Sequence, residues 1–189
     1  MDLRSWIVND LASARQRLAG GILGCIPTDR LDEQADGGGI APLYVLWHMT
    51  RHHDLAINGV LRGRDEVVHD WTDRLGVSDE LWRGLSEGSD TDLVQILDPD
   101  AVAGYSLAAL DGTIEWLNTA ATFDNLDSVP PSSETLSAIG TPPADFDWLY
   151  SMWAGKPRYW FLSWEGHGHV VTHTGELVSI RNRMGFSPF

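Results

Sequence analysis

The sequence predicts an all-α fold: a four-helix bundle with a long crossover between its second and third helices. Three observations predict it. Apolar residues recur every three to four positions through four long segments, the period of a helix buried on one side. Helix punctuation stands at the segment ends, with Pro42 and the Asp98-Pro99 pair at two starts and Gly63 and Gly185 at two ends. No run alternates apolar and polar residues as a half-buried strand does. The 189 residues are 43% hydrophobic, enough for one domain spanning 1–189 with a sizeable core.

The first helix is expected over about residues 3–23, with Trp6, Ile7, Leu11, Ala14, Leu18 and Ile22 on its apolar stripe. Gly20-Gly21 weakens its end, and Pro27 lies beyond it. A polar stretch closing on Gly37-Gly38-Gly39 leads to the second helix, about 42–61, striped by Leu43, Leu46, Trp47, Leu55 and Val60/Leu61. Residues 64–97 read as a long, partly ordered crossover, with a capped helical turn at Ser78-Asp79-Glu80-Leu81-Trp82. The third helix is expected from Asp98-Pro99 to about Ala121, with Val102, Tyr105, Ala109, Leu110, Ile114 and Leu117 inward. Residues 123–144 are rich in Pro, Ser, Thr and Asp and read as a loop. Short aromatic-rich helical pieces at 145–150 and 157–164 precede the last helix, about 166–184.

The composition narrows the function classes. Nine tryptophans and nine prolines argue against disorder. A formal net charge of -14 disfavours nucleic acid, whose phosphates need a basic face. The single cysteine, Cys25, excludes an internal disulfide and fits a reducing cytosol. Its apolar setting in Ile22-Leu23-Gly24-Cys25-Ile26 points to a structural, buried thiol. The N-terminal segment is amphipathic, unlike a signal peptide, and no apolar run approaches the roughly 18 residues that span a bilayer. The expectation is a soluble cytoplasmic protein with no nucleic-acid or membrane partner, and a homodimer on base rates alone.

The residues that carry chemistry lie in His169-Val-Val-Thr-His173-Thr-Gly-Glu176. Histidines at i and i+4 share one helix face and can hold one metal ion. Glu176, seven residues after His169, shares that face and reads as a fourth ligand, a hydrogen-bond partner of a ligand, or a base. The best third nitrogen ligand is His48, in Leu46-Trp47-His48-Met49-Thr50-Arg51-His52. Placing His48 on the second helix and the pair on the fourth suits a bundle, whose metal ligands project inward from facing helices. No phosphate-binding glycine loop, dinucleotide fingerprint or nucleophile elbow is present.

The paired motifs, Leu46 to Asp54 and Gly168 to Leu177, together with Ile180-Arg181-Asn182-Arg183-Met184-Gly185, resemble the DinB-like superfamily. Within it they look most like the actinobacterial branch that includes mycothiol-dependent enzymes. The resemblance covers most of the chain, apart from residues 64–97 and 123–157. It implies a four-helix bundle of DinB-like type with a divalent metal, zinc or nickel, held by His48, His169 and His173. It also implies a thiol S-transferase in which a metal-activated, mycothiol-like thiol attacks an electrophilic small molecule. The alternative is a non-enzymatic metal- or ligand-binding protein of the stress response. The chain departs from the pattern in its extra histidines: His52 and His53 after the first motif and His167 before the second. His52, at i+4 from His48, either competes as a ligand or supports one; the plainer reading of His52 and His53 is solvated or supporting groups. Arg51 and Glu176 are candidates to assist the reaction, the plainer reading of Arg51 and Asp54 being a surface ion pair. His69 reads as a crossover residue without a role. The aromatic group Trp148, Tyr150, Trp153, Tyr159, Trp160, Phe161 and Trp164 reads mostly as core, with a pocket wall as the sharper option.

Overall fold

The computed structural model describes residues 2–35, 38–88, 90–119 and 123–189. It is all-helical, with no strand among the described residues. Helix α1 (Leu3–Gln16) starts where the Asp2 carboxylate accepts the Ser5 N–H at 2.8 Å, a cap for an otherwise orphaned donor. It runs on into a π-helical stretch, Arg17–Leu23, as the expected span of 3–23 requires. Helix α2 (Pro42–Asp54) opens on proline and likewise continues as a π-helical stretch, Leu55–Arg62, closed by Gly63. After the crossover, with its short helix α3 (Thr72–Leu75), comes α4 (Pro99–Thr119), whose start Asp98 caps through Ala101 N–H at 2.8 Å. The expected end of this helix at Ala121, and Gly37 of the connector, lie outside the described residues. The last helix, α8 (His169–Arg183), grows out of a π-helical turn, Trp164–Gly168.

The four long helices are neighbours in a cycle: α1 against α4, α4 against α2, α2 against α8, and α8 back against α1. Their inward stripes, among them Leu11, Leu18, Leu43, Val102, Ala109 and Leu177, form one core. Every residue of α2 is buried, so this helix runs through the centre of the molecule. Burial on all sides explains why its sequence lacks a clean polar face. The Arg181 guanidinium reaches the Gly21 carbonyl and ties α8 to the end of the first helical segment.

Three local expectations change. Residues 123–144 are not wholly a loop: helix α5 (Ser132–Ala138) forms there and buries Leu136. It is followed by α6 (Asp147–Trp153) and α7 (Arg158–Ser163). No capped helical turn forms at 78–82; the chain instead turns at 81–84. In the crossover, expected to be partly ordered, the 81–86 segment is pinned to α2. Five side chains of α2 donate to carbonyls of one short segment: Arg51 to Leu81, Trp47 to Arg83, His48 to Gly84, His52 to Leu85 and Tyr44 to Ser86. Gly84 makes the approach possible, because its φ is +79° and a Cβ there would stand 2.5 Å from the Trp47 ring.

Candidate metal centre

Two histidine-bearing ladders face each other across α2 and the last helix. On α2, His48 and His52 stand one turn apart, with ring centroids at 4.7 Å. Along the π-helical turn and the last helix that follows it, Glu165, His169 and His173 succeed one another at four-residue spacing. The three expected ligands converge: His48 lies 5.1 Å from His169 and 4.8 Å from His173 between ring centroids, and His169 4.4 Å from His173. Each offers a ring nitrogen within 4.8 Å of the other two, and all three residues are buried.

Hydrogen bonds to pure acceptors fix two tautomers. His48 Nδ1 stands 2.8 Å from the Gly84 carbonyl, which can only accept, so Nδ1 carries the proton and Nε2 the lone pair. The His173 Nδ1 donates in the same way to the Glu176 carboxylate at 2.7 Å and frees its own Nε2. That arrangement, an imidazole oriented by a carboxylate or carbonyl behind it, is the common support of metal-binding histidines. Glu176 therefore stands behind a ring nitrogen, in the second of the three roles its position allows.

The donor set fits a divalent ion. The Nε2 atoms of His169 and His173 are 3.1 Å apart. Two nitrogens at zinc–nitrogen length on one ion lie about 2.9–3.4 Å apart for angles between square and tetrahedral. The His169 proton has no satisfactory place without a cation. On Nδ1 it leaves two lone pairs facing each other; on Nε2 it leaves Nδ1, which is buried and makes no hydrogen bond. Burial, followed by the neighbouring His52 imidazole, drives the His48 pKa down to about 3. Burial and then His52, His173 and His48 push His169 strongly down as well. Both rings are neutral at physiological pH, the form that binds metal.

The ligands lie at the foot of a cavity of about 690 Å³. Trp148, Met152 and Trp164 supply its apolar wall, and Glu87 and Glu176 its acidic rim. Of the aromatic group, Trp153 and Phe161 are core, whereas Trp148, Tyr159 and Trp164 are exposed. No lysine or arginine lines the cavity among the described residues.

The remaining candidates sit elsewhere or otherwise than expected. Arg51 does pair with Asp54, at 3.7 Å, but in the interior and not at the surface. Its stronger partner is Glu66 at 2.8 Å, and it also donates to the Tyr105 hydroxyl at 3.1 Å. Burial opposes the Arg51 charge, yet Glu66, Tyr105 and Asp54 hold its pKa above the ordinary value. Arg51 is not among the residues lining the metal cavity. His52 and His53 are buried, not solvated. His52 lines the cavity, whereas His53 is bonded to the Thr113 hydroxyl at 2.9 Å. His167 stands 3.7 Å from Asp10, and His69 borders a separate surface cavity. Cys25 is only partly buried, its thiol 3.5 Å from the Gly20 carbonyl.

Glu165 escaped the sequence reading. It is wholly buried beside His52, and the Trp153 indole N–H donates to it at 2.8 Å. The signal was present, since Glu165 extends the four-residue spacing of His169 and His173 backwards by one turn. The exposed tryptophans of the wall and the carbonyls of the 81–86 segment have no such signature.

Comparison of the chain with family models, with characterised proteins and with solved structures found no match.

Proposed function

We propose that this chain is a divalent-metal-dependent thiol S-transferase built on a four-helix bundle of DinB-like type. The convergence of His48, His169 and His173 at the foot of an open cavity is the observation that carries the reading. These three residues would hold the ion, and zinc or nickel suits three imidazoles. Bound by these neutral ligands, a divalent ion would act as a Lewis acid that lowers the pKa of a coordinating thiol, whose proton is then lost to solvent.

The chain's own residues do the rest. Glu176 keeps the proton on His173 Nδ1, and the Gly84 carbonyl keeps it on His48 Nδ1, so both Nε2 lone pairs stay aimed inward. Trp148, Met152 and Trp164 give an apolar surface on which an electrophile can be held and water thinned out. No side-chain nucleophile is needed. A cavity whose described lining carries acidic groups but no lysine or arginine favours an uncharged thiol such as mycothiol over an anionic one.

The test is conjugation. Zinc- or nickel-loaded protein, incubated with mycothiol and a panel of epoxides, chlorinated aromatics and activated alkenes, should form adducts that His169→Ala does not. Bound metal with no adduct above that background across the panel would instead support the second reading, a non-enzymatic metal-binding protein. The observation favouring that alternative is His52, whose ring centroid lies 4.7 Å from those of both His48 and His169, close enough to fill the open position.

A further inference from the structure

Beside the three-histidine centre lies a second group with a different donor set. His52, Glu165 and His169 each offer a nitrogen or oxygen within 4.8 Å of the others, and all three are buried. In each of these side chains one polar atom is engaged and the other is not. The His52 Nε2 bonds the Leu85 carbonyl at 2.8 Å, Glu165 Oε1 accepts from Trp153 at 2.8 Å, and His169 Nε2 faces His173. The remaining atoms, His52 Nδ1, Glu165 Oε2 and His169 Nδ1, are buried and make no hydrogen bond.

The lone pairs among them conflict. Because the Leu85 carbonyl can only accept, the neutral His52 ring carries its proton on Nε2 and a lone pair on Nδ1. That lone pair stands 3.3 Å from Glu165 Oε2, also an acceptor, and both side chains are almost completely shielded from water. Two acceptors at that distance in a dry interior repel unless a cation lies with them. We propose that His52 Nδ1, Glu165 Oε2 and His169 Nδ1 form a second divalent-cation site, so that the protein holds a pair of ions with His169 between them. Two imidazoles and a carboxylate are a donor set for zinc or ferrous iron. Loading releases the His169 Nδ1 proton to solvent, leaving an imidazolate bound to one ion through each nitrogen. All three residues line the cavity, which gives the ion a path in. The inference rests on the three-histidine centre, with which it shares His169.

Metal stoichiometry tests it without reference to turnover. Untagged protein, saturated with zinc, freed of loose ion by gel filtration and analysed for elements, should carry two equivalents per chain. Glu165→Gln and His52→Gln should each carry one, and His169→Ala none. Loading with Cu(II) gives an independent reading on the unmodified chain: two ions joined through one imidazole couple magnetically, and the resonance intensity per copper drops. One equivalent in the unmodified chain, unchanged in Glu165→Gln and uncoupled with copper, overturns the second site and leaves a proton between His52 and Glu165. The three-histidine centre survives that result. No retained zinc at all overturns both. A Glu165→Gln chain that does not fold leaves the stoichiometry and the copper coupling of the unmodified protein to decide.

Discussion

At the scale of the residue, histidines of this chain divide by what stands behind them. A ligand histidine keeps one ring nitrogen for the ion only when the other is committed, and for His173 that commitment is to Glu176. Removing such a partner costs about 10–100-fold in metal affinity. Glu176→Ala should therefore weaken zinc binding by about that factor in competition with a chromophoric chelator, while leaving the melting temperature of the metal-free protein nearly unchanged, because Glu176 is partly exposed. Affinity equal to that of the unmodified chain would remove Glu176 from the centre. Arg51 gives the opposite pattern. Its side chain is wholly buried between Glu66, Asp54 and Tyr105, and its loss would strand two carboxylates in the interior. Breaking a buried pair from one side costs about 3–5 kcal/mol. Arg51→Ala should lose that much in urea denaturation. Where the variant still folds it should keep its zinc stoichiometry, since Arg51 does not line the metal cavity. Loss of zinc from a folded Arg51→Ala chain would show that the guanidinium does belong to the site.

At the scale of the element, the 81–86 segment is what turns α2 from a core helix into a ligand-presenting one. The Gly84 carbonyl sets the His48 tautomer, and Leu85 does the same for His52. Gly84→Ala strikes this segment twice: a Cβ would stand 2.5 Å from Trp47 Cδ1 and 2.7 Å from its Nε1, on a backbone of φ +79°. Left-handed strain alone costs about 1–3 kcal/mol for a residue with a side chain. Trp47 is fully buried and has no free space to yield. The expected outcome is a lower melting temperature together with weaker zinc binding, measured on the same preparation; a destabilised variant with undiminished zinc affinity would mean the carbonyl does not steer His48. The segment also marks where sequence reasoning stopped. The four long helices were legible because a 3.6-residue period is a local signal, repeated in stripes such as Leu43, Leu46 and Trp47. The crossover was not, because it is held by bonds from Tyr44, Trp47, His48, Arg51 and His52 across 30 to 42 residues of chain, which leave no periodic trace. For the same reason the histidine pair and His48 could be singled out from spacing and motif, whereas the acceptors behind them could not.

At the scale of the whole molecule, burying a cluster of imidazoles in one helical core ties stability to pH. Burial pushes His53 down to about 4, against the pull of Asp54 and Glu165, and pushes His48 down to about 3. A histidine at 6.5 in the unfolded chain and about 4 in the folded one binds more protons when unfolded at any pH below 6.5. Stability is thus complete above about pH 6.5 and is lost progressively as the pH falls toward 4, by about 3 kcal/mol for His53. The downward shifts of His48 and His169 add to the loss in the same direction. Zinc should oppose it, because protons and the ion compete for the same ring nitrogens. At neutral pH, zinc at a hundred times its dissociation constant stabilises the fold by about 2.7 kcal/mol, a gain that a chelator removes. Thermal melts of chelated and zinc-saturated protein from pH 7.5 to 4.5 should therefore show both curves falling below about pH 6.5 and the gap between them closing as protons displace the ion. A chelated protein whose melting temperature stays level or rises over that interval would mean that the buried histidines are already charged in the folded state, and the neutral ligand set at the heart of the proposed centre would fail with it.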